Sequence, residues 1–416
     1  MPPPARARYS LSPMIAPVPT GLEIDPRFPG NASWIEVSAA ALRHNVGVFR
    51  ALLGGDGGAR LGAVLKGDAY GHGLAAVLPV VHELVDAIYV ITPQDALAIR
   101  EYELRSGAPA RQVLVLGAMT PGEVVALAAR QIDVVLADDG WTAAVDALRG
   151  AGLGLRARCH VHLDTGLGRE GFTAAQLPAL CDGLQRSADV LEVVGALSHF
   201  ANTEDVTEQH YAQQQVDAFE TGLRLLQSKL GVASLQRHFA ASAAIMVLPS
   251  ARYDLVRVGI SLYGLWPSTE TRISARLVLD EVPQLRPVLT WRCRSQVTKW
   301  LPAGAYVGYG CTYRCARETR VAVLPVGYYD GYPRLLSSRG HVLVRGERCP
   351  VLGRVMMNHI VVDVTRVPGE AEPVTATLLG ADGSEQVSAE LLAEWAQTIN
   401  YEIVARLGAH LRRTVL

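Results

Sequence analysis

Short apolar runs return along the middle of the chain at regular intervals: 61–65 (LGAVL), 87–91 (AIYVI), 112–116 (QVLVL), 132–136 (IDVVL), 157–163 (ARCHVHL), 192–197 (EVVGAL), 236–241 (QRHFAA) and 254–258 (DLVRV). Most are separated by stretches with apolar residues at helical spacing, such as 95–105 and 121–130. Runs this short and this apolar suit strands buried on both faces, and parallel neighbours need a crossover between them. The pattern therefore predicts an α/β chain with a (β/α)8 barrel over about 31–280. Its weakest repeat lies between 241 and 254, where only a short helix fits. Ahead of the barrel, 32–37 alternates as a strand, and Ser38 stands where an N-cap would open a helix carrying Leu42, Val46 and Phe49 on one face.

Beyond about 280 the texture changes. Segments 288–298, 320–326, 341–345, 349–356 and 360–365 alternate or run apolar between Gly and Pro, with few helical stretches among them. They predict a mainly-β C-terminal domain over 281–416 with one late helix near 388–397, which Ser388 would cap. The first thirty residues are proline-rich and read as an N-terminal extension.

Composition narrows the function. The 416 residues carry 39 Lys+Arg against 40 Asp+Glu with no long run of one sign, which points away from nucleic acid and from anionic membrane surfaces and toward a small-molecule ligand. No stretch reaches the ~20 apolar residues of a membrane span, and the N-terminal extension lacks the apolar core of a secretory signal, so a cytoplasmic location is expected. The six cysteines (159, 181, 293, 311, 315 and 349) are scattered without a disulfide or zinc framework. His160 and His162 sit two apart on one predicted strand and face the same way, but no acidic or sulfur ligand accompanies them in sequence, so no metal is expected.

The candidate chemistry starts where the first apolar run ends in a lysine. In AVLKGDAYGHG, Lys66 stands at the tip of a predicted barrel strand, followed by glycines at 67, 71 and 73 that permit a tight turn. Strand tips at the C-terminal face are where such barrels do chemistry, and an amine on a dry apolar floor can lose its proton and form a Schiff base. On residues alone, a solvated lysine in a glycine-rich turn fits equally. Other polar residues fall just after or at the end of later strands: Arg169, His199, Ser242 and Arg257.

The run AVLKGDAYGHG resembles the cofactor-lysine motif of the alanine racemases, pyridoxal 5'-phosphate (PLP) enzymes that interconvert L- and D-alanine. Further segments match in the same order from Trp34 to Tyr401. The resemblance implies a TIM barrel with a C-terminal β domain that the opening strand joins, and a homodimer with shared active sites that makes D-alanine for peptidoglycan. It implies that Lys66 holds PLP and carries a proton at the substrate α-carbon. Tyr309, in VGYGCTY, matches the opposing base supplied by the partner subunit. A free tyrosine titrates near 10, too high for an efficient base at neutral pH, so nearby cations would have to lower it, and the resemblance puts His199 and Arg257 close by.

The same resemblance assigns the supporting residues. Arg257, in DLVRVGISLYG, matches the arginine at the pyridine nitrogen; an ion pair with Asp254 is its structural alternative. His199 would stack on the PLP ring. Tyr70, Ser242, the backbone N–H groups of Gly259 and Ile260, and Tyr401 match the phosphate cradle. Arg169, in DTGLGREGF, matches the arginine that reaches the cofactor's phenolic oxygen and the substrate carboxylate. The Met357 N–H would contact that carboxylate, and Tyr328 would line the entrance.

Two positions depart from the family pattern. His162 stands where many alanine racemases have a lysine, carbamylated in some, that braces the arginine corresponding to Arg169. Asn358 stands where an aspartate is usual. Both lie near the carboxylate-binding end, so a broader-specificity or serine-type racemase stays open; Tyr401 favours a small side chain. A non-catalytic PLP-binding protein is the alternative from another class, and the C-terminal domain argues against it.

Overall fold

The computed structural model describes residues 32–55, 58–152, 154–203, 209–369 and 373–416, so the expected N-terminal extension lies outside the described residues. The first described strand, β1 (Ser33–Val37), leads into the helix Ala39–Leu52, where the Ser38 hydroxyl accepts the Ala41 N–H as an N-cap. Leu42, Val46 and Phe49 of that helix are buried.

Eight strands follow: β2 (Arg60–Val64), β3 (Ala87–Val90), β4 (Gln112–Val115), β5 (Asp133–Leu136), β6 (Ala157–His162), β7 (Leu191–Leu197), β8 (Gln236–His238) and β9 (Leu255–Val258). They are parallel, in the order β8-β7-β6-β5-β4-β3-β2-β9. A parallel bridge between Ala241 and Arg257 joins the two ends, closing a TIM barrel. The predicted runs recover all eight strands within one residue at each end, except that β8 stops at His238. The chain between β8 and β9 holds the short helix Ser242–Val247 and a single turn at Pro249–Ala251, as the tight spacing required. Inside the barrel, Val64, Ala87, Tyr89, Leu114, Val135, Leu197 and Leu255 form their own apolar cluster. Outside, residues such as Val113, Val115 and Val134 pack under the helices. Burial on both faces is why these strands read as unbroken apolar runs.

The second part of the chain carries β10 (Leu289–Arg294), β11 (Val297–Leu301), β12 (Tyr306–Val307), β13 (Tyr313–Arg314), β14 (Thr319–Leu324), β15 (His341–Val344), β16 (Glu347–Pro350), β17 (Ile360–Asp363), β18 (Thr375–Asp382), β19 (Glu385–Val387) and β20 (Arg412–Val415). A seven-stranded sheet runs β16-β15-β18-β10-β1-β20, with β19 paired to β18. β1 lies antiparallel to β10 and parallel to β20, with Ile35 opposite Trp291 and Arg413. The chain's first described strand therefore belongs to the sheet built by its last. A second sheet, β11-β14-β17, and the β12-β13 hairpin complete this part.

Several expectations change here. The run 288–298 is two strands in different sheets, and of 349–356 only the first residues are strand. β12, β13, β18, β19 and β20 were not predicted; Gly380 inside β18 breaks its alternation, and the others are two to four residues long. The expected late helix is Ala389–Ala396, capped by Ser388 as predicted, and a further helix, Asn400–Ala405, too short to show a period, follows it. Among the described residues, no helix is long and apolar enough to cross a membrane.

Candidate active site

β2 delivers Lys66 to the C-terminal mouth of the barrel, where it lines a cavity of about 740 Å³. Tyr70, His162, Arg169, His199, Ser242, Arg257, Gly259 and Tyr401 line the same cavity. Burial, then the nearby Arg169 and Arg257 guanidinium groups, hold the Lys66 pKa below that of an ordinary lysine. More of this amine is therefore uncharged at neutral pH than in a solvated lysine, as a nucleophile or proton acceptor requires.

Arg257 is buried beneath the cavity. It donates to the backbone carbonyls of His238 at 2.5 Å, Ser198 at 2.6 Å and Phe239 at 2.9 Å. Asp254 is not its partner: that carboxylate takes Nε and Nη2 of Arg237 at 3.0 and 2.8 Å, which sets aside the structural alternative for Arg257. With no carboxylate paired to it among the described residues, burial lowers the Arg257 pKa to about 10, and the guanidinium remains a cation at neutral pH.

Behind Arg257 runs a polar chain that sequence reasoning did not find. Arg257 Nη1 lies 3.3 Å from His238 Nδ1, His238 Nε2 is 2.9 Å from His160 Nδ1, and His160 Nε2 is 3.2 Å from Asp133 Oδ2. An arginine can only donate, so His238 Nδ1 must accept; its Nε2–H then donates to His160, whose Nε2–H donates to Asp133. Burial, with the Arg257 cation beside it, holds the His238 pKa far below the usual histidine range, so the ring is neutral. The Asp133 carboxyl is pushed up by burial, but hydrogen bonds from His160, Arg158 and Gln112 outweigh this and keep it ionised. Histidines inside strands that face a barrel interior were the signal available. Among the described residues, no three His, Cys, Asp or Glu side chains are placed to hold a metal ion.

The proposed phosphate end is drawn from three places. Tyr70 follows Lys66 by one turn, and its hydroxyl would stand 2.6 Å from a Cβ at position 259, so Gly259 is what admits it. Burial lifts the Tyr70 pKa to about 12, which keeps the hydroxyl protonated and able to donate to an anion. Ser242 Oγ accepts the Gly259 N–H at 2.9 Å, so these two groups hold each other here. Ile260 lies behind Gly259 with its side chain buried. Tyr401 reaches the cavity from the helix Asn400–Ala405, with its ring 6.3 Å from that of Tyr70.

His199 lies 3.5 Å from Arg257 through Nδ1, and burial together with Arg257 and Arg169 lowers its pKa to about 3. It is a neutral, flat wall and not the cation expected to assist Tyr309, because burial beside two guanidinium groups disfavours its charged form. Arg169, half exposed at the rim, pairs with Glu170 at 2.8 Å. His162 is buried and neutral, its pKa lowered to about 4 by burial and by Arg257 and Arg169.

Tyr309, Tyr328 and Met357 are not at this cavity. Tyr309 occupies the tip of the β12-β13 hairpin and is 72% exposed. Tyr328 and Met357 are exposed on the same part of the molecule: the Tyr328 and Tyr329 N–H groups donate to the Met356 and Met357 carbonyls at 3.0 Å. The Met356 side chain in turn reaches toward Gly308, beside Tyr309.

The family profile "Alanine racemase, N-terminal domain" matches residues 37–267, and "Alanine racemase, C-terminal domain" matches residues 288–415. The chain belongs to the alanine racemase family. It is 37% identical over 389 residues to the alanine racemase of Leptospira interrogans serovar Lai, covering 92% of this chain and 96% of that protein. Identity to the alanine racemase of Symbiobacterium thermophilum is 38% over 386 residues, with the same coverage. Among solved structures, alanine racemase from the D-cycloserine producer Streptomyces lavendulae superposes with a TM-score of 0.82 at 34% identity, over 93% of this chain and 97% of that one. The Bacillus anthracis alanine racemase with bound L-Ala-P gives 0.82 at 30% identity, over 93% and 95%. The present chain carries His162 and Asn358 at the positions noted above, and Arg169 pairs with its own sequence neighbour, Glu170.

Proposed function

We propose that this protein is a PLP-dependent alanine racemase that works as a cytoplasmic homodimer and supplies D-alanine for peptidoglycan. The observation that carries the reading is Lys66, a pKa-lowered amine at a barrel-strand tip, sharing one cavity with a carbonyl-bound buried arginine and a set of hydroxyl donors.

The donor set fits PLP. Lys66 would hold its aldehyde carbon, Arg257 its pyridine nitrogen, His199 its ring face, and Tyr70, Ser242 and Tyr401 its phosphate, with Gly259 and Ile260 lining that end. Bound PLP supplies an electron sink, without which an amino-acid α-proton is too weakly acidic to leave. Arginine cannot give up its proton usefully, so Arg257 would donate to the ring nitrogen without protonating it. Arg169 offers a guanidinium fork that matches a substrate carboxylate.

Racemisation needs a proton taken from one face of the α-carbon and returned on the other. Lys66 serves one face. Tyr309 of the partner subunit would serve the second, with the Met357 N–H and Tyr328 arriving on the same surface. The chain's two constellations support this arrangement: a cavity with one base, and a separate exposed patch carrying the other. A patch rich in exposed aromatic and apolar side chains, including Tyr306, Tyr309, Tyr329 and Met357, is also what an association surface presents.

The purified protein should be yellow and lose its colour on borohydride treatment, and Lys66→Ala should bind no PLP covalently. Covalent PLP on that variant would refute the lysine's role. Side-by-side rates on alanine, serine, lysine and arginine with chiral product analysis should favour alanine; a preference for another amino acid would overturn that part of the reading.

A further inference from the structure

The five residues after Lys66 form a left-handed turn. Gly67, Asp68, Ala69, Tyr70 and Gly71 have φ of 62°, 53°, 53°, 54° and 77°. Three of them in succession are not glycine, and L-residues visit this region singly rather than in runs. The turn matters because it sets where Lys66 leaves β2 and where the Tyr70 hydroxyl enters the cavity. Part of what holds it is internal: the Ala69 N–H donates to the Leu65 carbonyl at 3.0 Å, Gly71 to Gly67 at 2.9 Å and Gly73 to Asp68 at 2.9 Å. The Asp68 carboxylate accepts the Leu74 N–H at 2.7 Å.

The rest comes from the far end of the chain. Arg413 on β20 sends Nη2 and Nε to the Gly71 carbonyl at 2.9 and 3.3 Å. Its Nη1 donates to the carbonyls of Gly408 at 2.8 Å and Leu411 at 2.7 Å. Only 8% of this side chain is exposed, and its nearest carboxylate, Asp68, is 3.8 Å away. A Cβ on Gly71 would lie 1.9 Å from the Val404 carbonyl, so the turn is pressed directly against the C-terminal segment. A long cationic side chain is buried here to join backbone to backbone across 342 residues of sequence.

We propose that Arg413 is a positioning residue for the cofactor lysine: one guanidinium grips the Gly71 carbonyl and the C-terminal loop carbonyls, and so holds the left-handed turn that places Lys66 and Tyr70. This rests on the proposed role of Lys66. It makes the last strand of the chain part of the cofactor site without touching the cofactor. A lysine at 413 would keep the charge but not the fork, and so could not hold both sets of carbonyls.

The test compares purified holoenzymes of the wild type, Arg413→Lys, Arg413→Met and, as control, the neighbouring exposed Arg412→Met. Amide hydrogen exchange over 66–74 should accelerate at least about tenfold in Arg413→Lys, about what losing one charge-assisted hydrogen bond implies, while β3 to β5 keep their protection. PLP affinity, followed by absorbance, should fall about as much. Arg412→Met should change neither. Unchanged exchange and unchanged PLP affinity in Arg413→Lys would overturn the proposal. So would equal acceleration across β1, β10 and β20, which would make Arg413 a general staple of that sheet. Arg413→Lys decides the matter even should Arg413→Met not fold. If the wild type itself carries no lysine-bound PLP, the functional reading fails, while the exchange contrast still tests the clamp.

Discussion

Single residues around the cavity are tuned mainly by burial, and that tuning has a measurable consequence for stability. Burial, with nearby cations, lowers the pKa of His162 to about 4 and of His199 to about 3 at the cavity, and does the same, to about 4, for His72, which is buried away from it against Tyr263. In the unfolded chain each would take up a proton near pH 6.5. Below that pH the unfolded state binds more protons than the folded one, so stability is intact above about pH 6.5 and is lost as the pH falls toward 4. The loss should approach roughly 1.4 kcal/mol per histidine per pH unit in that window. Urea midpoints of the cofactor-free protein at pH 7, 6 and 5 check this, and His162→Asn should make the decline shallower. An unchanged slope in that variant would show that His162 is not held neutral. The sequence made Lys66 and Arg257 legible through their positions at strand ends, but not the chain from His238 through His160 to Asp133. Those residues meet only when β5, β6 and β8 curve around one interior, with His160 and His238 reaching each other across Gly195 of the intervening β7, a long-range fact that spacing along one strand does not carry.

At the scale of elements, the barrel was legible and much of the β part was not, for one physical reason. Each barrel strand is buried on both faces and flanked by a helix, so period and contrast reinforce each other; β12, β13 and β20 are two to four residues long and have neither. The β12-β13 hairpin nevertheless carries the residue proposed as the second base. Its geometry depends on Gly308, whose φ of 73° and ψ of −176° are essentially closed to other residues, although a Cβ there would meet nothing nearer than 3.6 Å. Gly308→Ala should therefore cost only about 1–3 kcal/mol of local strain, small against the stability of the whole chain. The variant should fold and keep its PLP while its kcat for alanine drops at least about tenfold, the size expected when a positioned acid–base group is displaced. Melting curves, absorbance and initial rates decide it. Full kcat in a folded Gly308→Ala would mean that the hairpin tip does not place Tyr309 for catalysis.

The whole molecule poses the question its parts cannot answer: which copy's cavity does Tyr309 serve? Lys66 sits inside the barrel mouth and Tyr309 stands exposed on a hairpin of the other part of the chain. A two-fold assembly places the same patch of each copy against its partner, so an exposed base on one chain can complete a cavity on the other, twice over. That geometry makes a quantitative prediction. Lys66→Ala and Tyr309→Ala should each be inactive alone. Mixed in equal amounts and allowed to exchange subunits, half of the dimers become hybrids, and each hybrid has one cavity with an intact Lys66 facing an intact Tyr309. Activity should then rise to about a quarter of the wild-type value at the same total concentration. Were Tyr309 instead to fold over its own cavity, no hybrid would contain a complete pair, and the mixture would stay as inactive as its components. Because neither variant alters the other's defect, recovery cannot arise from repair within one chain.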